Sequence, residues 1–248
     1  AKPLYLSCAV VIEEGMKIDE LRRIALSMAK AAAEAGVTIV TGDTKVVQRG
    51  ACDKLFITTT GVGVIPPDRI LGIDTVRPGD GILVNGLLGD HGAAILAARG
   101  DLALESEILS DCAPLHGLID ALLEAAPGTR CIRDATRGGI ATVLNEIAEA
   151  SGVSIEIDEG AVPLREEVRG FCEILGLDPL YLANEGNIGV AVPAEEIDAA
   201  LAALRAHPLG AGSSLIGRAS RGEAGRVTMQ TVFGGRRIVD MLVGEQLP

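Results

Sequence analysis

Short β-branched runs and amphipathic helical stretches intermix along this chain without strict strand–helix–strand alternation, which constrains its architecture more than any other feature. Residues 18–35 place Leu21, Ile24, Ala25, Met28 and Ala32 on one face at helical spacing. Asp19 is a candidate cap at the start, and Gly36 suits the left-handed position just past the end. Residues 37–40 then read as a short buried strand, and residues 53–65, DKLFITTTGVGVI, as a longer one. Further on, a strand at 82–84 leads through a glycine loop at 86–92 into a helix. Residues 131–134, CIRD, form a strand before the turn ATRGG and a helix over 140–150. VSIEIDE alternates with period two, IGVAVP is another strand, residues 194–206 are helical, and SLIGRAS and RVTMQTV close as strands. This order predicts an α/β (α+β type) sandwich of mixed sheets packed by helices, not a doubly wound parallel sheet.

The core of such a sandwich must be aliphatic. Hydrophobic residues make up 48% of the 248, yet aromatics are only 2% and Trp is absent. The Pro- and Gly-punctuated stretch at 66–80 reads as a domain junction. A net charge of −12 argues against a nucleic-acid or anionic-membrane binder, because either would carry a basic footprint. Five scattered cysteines with no Cys-x-x-Cys pair suggest reduced thiols, and three isolated histidines form no zinc pattern. No run reaches the roughly 18 apolar residues of a membrane span, and AKPLYLS lacks signal-peptide features. The expected location is therefore cytoplasmic.

Neither a Walker loop nor a Gly-x-Gly-x-x-Gly turn is present, so any nucleotide must be held in another way. Two segments offer one. In VTGDTKVVQRG, Gly42 permits close backbone approach, Thr44 supplies a hydroxyl, and Lys45 carries a point charge suited to phosphate oxygens. Asp43 can hold Mg²⁺, which favours one or two carboxylates plus phosphate oxygens. The plainer alternative is an Asp-Thr turn at a strand end with a solvated lysine.

In IRDATRGGIATVL, Asp134 falls at a strand end and Gly138-Gly139 opens a helix whose N-terminus favours anions. Asp134 is a candidate metal ligand there, with Arg133 or Arg137 balancing charge; the alternative is a helix-capping aspartate. His91, in the loop GLLGDHGA, can act as acid or base, although a lone loop histidine is more often an ordinary polar residue. Asn184 and Glu185 in LANEG are candidate pocket residues in a turn that favours Asn and Gly anyway.

Taken in order, AKPLYLS…EEG, VTGDTKVVQRG, GLLGDHGA, RDATRGG, LANEG and HPLG at 207–210 resemble the HypE family of hydrogenase expression/formation proteins across nearly the whole chain. That family is similar to the aminoimidazole ribonucleotide (AIR) synthetase and selenophosphate synthetase superfamily. The resemblance implies a two-domain PurM-like fold. Residues 1–75 would be the C-terminal part of an ATP-binding AIR-synthase-like N-terminal domain, and 76–248 the AIR-synthase-like C-terminal domain. It implies ATP-dependent dehydration of an S-carbamoyl group on a C-terminal cysteine to a thiocyanate, which supplies a cyanide ligand to the iron of [NiFe] hydrogenase. ATP and Mg²⁺ would be the cofactors. A HypF-type carbamoyltransferase and the HypC–HypD iron scaffold would be partners, in a cytoplasmic homodimer joined through strands of the first domain.

Carried over by motif, Gly42, Asp43, Thr44, Lys45 and Arg137 would bind nucleotide, Asp134 and Asp43 metal, and Lys45, His91 and Glu185 would serve catalysis. Family chains begin upstream of Ala1 and run past Pro248 to a final cysteine. The chain as given is therefore expected to be inactive alone and to bind ATP weakly if at all. Two other readings stay open: a related synthetase such as selenophosphate synthetase, and a non-catalytic module that docks partners.

Overall fold

The computed structural model describes residues 1–67, 69–99 and 108–244. They divide into two compact units, Ala1–Arg69 and Ile70–Pro248. The first unit is a three-stranded sheet with one helix. Strand β1 (Lys2–Glu13) lies between β2 (Thr38–Val47) and β3 (Leu55–Val64), parallel to β2 and antiparallel to β3. Helix α1 (Ile18–Glu34) makes the crossover from β1 to β2 that a parallel pair requires. Its apolar positions Leu21, Ile24, Met28 and Ala32 are half-buried, whereas Ala25 is exposed. Gly36 takes the expected left-handed conformation, φ +66°. Asp19 is not the cap: the helix starts one residue earlier, and Asp19 pairs with Arg22 at 2.8 Å.

The β2 strand is not buried at residues 38–40 as expected, and the outward side chains Val40, Val46, Phe56, Val62 and Val64 are all more than half exposed. β1, read only as a segment lacking signal-peptide features, is a twelve-residue strand and the centre of this sheet.

The second unit is built on a seven-stranded sheet in the order β10-β9-β6-β8-β4-β7-β5. Its strands are β4 (Gly81–Val84), β5 (Cys131–Asp134), β6 (Ser154–Asp158), β7 (Ile188–Val192), β8 (Ser214–Ser220), β9 (Val227–Gln230) and β10 (Arg236–Ile238). Within this sheet, among the described residues, β6 and β9 are the one parallel pair. Alternation along β4 divides the core into layers. Ile82 and Val84 join Ile140, Val143, Leu144 and Ile147 of α4 (Gly139–Ser151) on one face. Leu83, between them, meets Leu118 and Leu122 of α3 (His116–Ala125) and Ala200 and Leu204 of α6 (Ile197–Ala206) on the other.

Burying each of these Leu and Ile side chains contributes about 1.5–3 kcal/mol, so an aliphatic core suffices without tryptophan. A third cluster joins Ala93 of α2 (Asp90–Arg99) to Val168, Phe171 and Cys172 of α5 (Glu166–Leu175). The observed fold is thus the mixed sandwich that the order of elements predicted. Among the described residues no helix is long and apolar enough to cross a membrane.

Candidate active site

The segment Gly42-Asp43-Thr44-Lys45 lies inside β2, neither at a strand end nor in a turn, which corrects the sequence reading. Its place is set by β1, which pairs Cys8 with Gly42, Ala9 with Asp43, Val10 with Thr44 and Val11 with Lys45. The ladder continues straight through the polar residues because β1 supplies backbone partners to Val47. The register shifts between Leu6 and Ser7, just before the Cys8–Gly42 pair. A Cβ on Gly42 would lie 2.1 Å from the Cys8 carbonyl oxygen, so close approach requires glycine here.

Strand geometry then sorts the side chains: Asp43 and Lys45 share one face, and Thr44 is on the other. All four residues are exposed, and Asp43 Oδ1 accepts from the Thr44 amide at 2.8 Å. The pairing of acid and ammonium two residues apart survives, but the hydroxyl does not join them on that face.

In the second unit, Asp134 ends β5 as expected, and Gly138 and Gly139 enter α4 with φ of +71° and +60°. Asp134 is not the helix cap; Gly138 occupies that position. Asp134 Oδ2 accepts from the Thr136 hydroxyl at 2.7 Å, and Oδ1 lies 3.6 Å from Arg133. Arg133 is committed elsewhere. Its guanidinium donates to Glu146 on α4 at 2.7 Å, and that hydrogen bond pushes its pKa further up. Of the two arginines considered for charge balance, Arg137 is the exposed one with no ion pair among the described residues.

His91 is in the first turn of α2, not in a loop, and its Nδ1 is 2.8 Å from the Ser110 hydroxyl. Asn184 is buried and links three segments. Its Oδ1 accepts from the Gly89 amide at 2.8 Å, while Nδ2 donates to the Ala135 and Leu182 carbonyls, both at 3.0 Å. Because of these bonds, the loop before α2, the loop after β5 and the loop before β7 converge. His91, Asp134 with Arg137, and Glu185 each sit on or beside one of the three.

The sequence reading missed Asp111. Its carboxylate accepts from the Glu185 amide at 2.9 Å, the Gly186 amide at 3.1 Å and Asn187 Nδ2 at 2.7 Å. It thereby fixes the turn that presents the exposed Glu185 side chain. No local pattern announced it, because its partners lie more than seventy positions away.

Among the described residues no three His, Cys, Asp or Glu converge as a metal cage. Mg²⁺ is commonly held by one or two carboxylates together with phosphate oxygens, and Asp43 in the first unit and Asp134 in the second are each an exposed carboxylate of that kind. Lys45 and Arg137 are exposed cations suited to phosphate, and the α4 N-terminus adds backbone N–H groups.

Comparison with known proteins identifies the family of the chain. The family model for the AIR synthase related protein, C-terminal domain, matches residues 77–230, and that for the N-terminal domain matches residues 1–65. Carbamoyl dehydratase HypE of Rhodobacter capsulatus is 63% identical over 248 residues, covering 100% of this chain and 73% of that protein. The crystal structure of hydrogenase maturation protein HypE superposes with a TM-score of 0.96 at 50% identity, covering 100% of this chain and 79% of that one. HypE in complex with ATP gives 0.94 at 50% identity, covering 100% and 75%. HypE from a HypE–HypF complex gives 0.92 at 44% identity, covering 97% and 78%. The chain belongs to the HypE family of AIR synthase related proteins.

Proposed function

We propose that this protein is an ATP-dependent carbamoyl dehydratase of hydrogenase maturation. The observation that carries the reading is its likeness to carbamoyl dehydratase HypE along the whole chain, which includes likeness to a HypE bound to ATP. The substrate is an S-carbamoyl group on a C-terminal cysteine, and the product is a thiocyanate that supplies cyanide to the iron of [NiFe] hydrogenase. A carboxamide oxygen is a poor leaving group, and transfer of a phosphoryl group to it makes it a good one. The oxygen then departs with phosphate while the nitrogen gives up both protons, leaving a carbon–nitrogen triple bond on sulfur. A protein serving this chemistry mainly positions the reactants and stabilises developing charge.

In this assignment Gly42 and Asp43 line the phosphates and Lys45 neutralises charge on the transferring group, while Thr44, first assigned with them, is set aside because its hydroxyl lies on the opposite face of the strand. Asp134 and Asp43 would hold Mg²⁺, the charge-neutralising ion of phosphoryl transfer, and Arg137 contacts phosphate. Glu185 takes a proton from nitrogen, and His91, steadied by Ser110, is a second acid–base group. Residues 1–75 belong to the ATP-binding domain and 76–248 to the C-terminal domain. A homodimer through strands of the first unit is supported by their exposed Val40, Val46, Phe56, Val62 and Val64. A HypF-type carbamoyltransferase and HypC–HypD are the partners, and the cytoplasm is the location.

The test follows the carbamoylated cysteine peptide of the full-length polypeptide by mass after addition of MgATP. Loss of one water mass that depends on ATP and disappears in Lys45→Ala supports the reading. An unchanged mass with the carbamoylated peptide present rejects it.

A further inference from the structure

A cleft of about 590 Å³ opens between the loop before α2, the Ser110–Ala113 segment and the start of α5. Ser110 and Asp111 on its wall also hold His91 and the Glu185 turn, but the proposed dehydration places no substrate or nucleotide in it. Its walls include Gly86, Asp90, Asp111, Arg165, Glu167 and Asn187. Two buried acceptors on these walls lack donors among the described residues. Asp90 is 4% exposed; its Oδ2 accepts from Arg165 Nε at 2.7 Å, while Oδ1 has no partner. Asn187 is 5% exposed, and its Oδ1 also has none. The Asn187 amide cannot be turned to relieve this. Its Nδ2 donates to Leu87 O at 2.9 Å and to Asp111 Oδ2 at 2.7 Å, both of which only accept.

The orphaned Asn187 oxygen borders open space. A Cβ built on Gly86 would lie 2.9 Å from Oδ1 and would meet no heavy atom within 4 Å outside that amide. A buried acceptor left without a donor is unfavourable, so two on one cleft call for a ligand that brings donors. Charge narrows the choice. Among the described lining residues Asp90, Asp111 and Glu167 are carboxylates and Arg165 is the one guanidinium, so the cleft favours cations and disfavours anions. A metal ion is a poor match, since the described residues offer no cluster of three metal-ligating side chains. A group with several N–H donors and a positive charge satisfies both requirements.

We propose that this cleft binds a small nitrogen cation of the guanidinium class, donating to Asp90 Oδ1 and Asn187 Oδ1. A planar guanidinium presents N–H groups along its edges and is weakly hydrated, so it loses less than an ammonium on entering a half-enclosed site. The inference stands apart from the dehydratase assignment and does not depend on it.

The test is calorimetric titration of the full chain with methylguanidinium, with tetramethylammonium and potassium as cations that lack N–H donors, at one ionic strength. Gly86→Ala, whose methyl would crowd Asn187 Oδ1, and Asp90→Asn are titrated in parallel, with folding checked by circular dichroism. Saturable methylguanidinium binding that falls at least tenfold in each folded variant, with no binding of the two controls, supports the site. If one variant does not fold, the other decides. Absence of binding, equal affinity in the variants, or equally tight binding of tetramethylammonium or potassium overturns it.

Discussion

Gly42 stands opposite Cys8 in the β1–β2 ladder, so close that any side-chain carbon on Gly42 would fall 2.1 Å from the Cys8 carbonyl oxygen. The obstacle is backbone in the central strand of the sheet, which cannot swing aside as a flexible side chain does. Gly42→Ala is therefore expected to destabilise the protein by about 1–3 kcal/mol, as overpacking does, and to distort the strand that carries Asp43 and Lys45. Urea unfolding reads the loss; a midpoint equal to that of the wild type would show that the strands separate at no cost.

Asn184→Ala would orphan the Gly89 amide and remove the donor to two carbonyls inside the protein. Each buried group left unpaired costs about 1–3 kcal/mol, so the unfolding midpoint should drop clearly. Amide exchange at Gly89 should rise at the same time. Unchanged protection there would mean that the three loops are held together by something other than this side chain.

Asp134 has one oxygen on Thr136 and the other 3.6 Å from Arg133, which is itself tied to Glu146. Asp134→Asn keeps the shape and removes the charge. If Asp134 is a magnesium ligand, MgATP affinity should fall by about 1–3 kcal/mol, roughly five- to 150-fold, while metal-free ATP binding changes little. Equal MgATP affinity in the two proteins would remove Asp134 from the metal assignment.

The cysteines should separate by reactivity. Burial pushes the Cys131 and Cys172 thiols up to about 11, and Cys8 is buried as well, whereas Cys112 is exposed. A thiol with a pKa near 11 is about one part in a thousand thiolate at pH 8, and the thiolate is the reactive form. Iodoacetamide at pH 8 should therefore label Cys112 first and reach Cys8, Cys131 and Cys172 only in denaturant. Mass mapping that finds Cys131 or Cys172 labelled first in the native protein would contradict the burial described here.

Local pattern was sufficient to place α1, β5 and α4. Leu21, Ile24, Met28 and Ala32 mark α1 by spacing, and Gly36 ends it because only glycine takes that conformation cheaply. Asp134 at the end of β5 and the glycine pair opening α4 are equally local, since strand, turn and helix follow within ten residues. Some elements went unread although they carry local signals. In α5 Val168, Phe171 and Cys172 recur at helical spacing and Gly176 closes it in the left-handed conformation. In α3 Leu118 and Leu122 share one face, whereas β1 is fixed by pairing with β2 and β3 on either side.

What the chain's own order of residues determined is a mixed aliphatic sandwich, a set of chemistry-bearing motifs and the family to which they belong, because periodicity, turn chemistry and motif order are written within short windows. Only the tertiary structure decided that Gly42 to Lys45 lie within a strand, that Asp43 and Lys45 face away from Thr44, and that Asn184 and Asp111 hold the loops bearing Glu185, Asp134 and His91. Those facts depend on pairing with β1 and on hydrogen bonds between residues far apart in sequence. No short window contains both partners of such a bond.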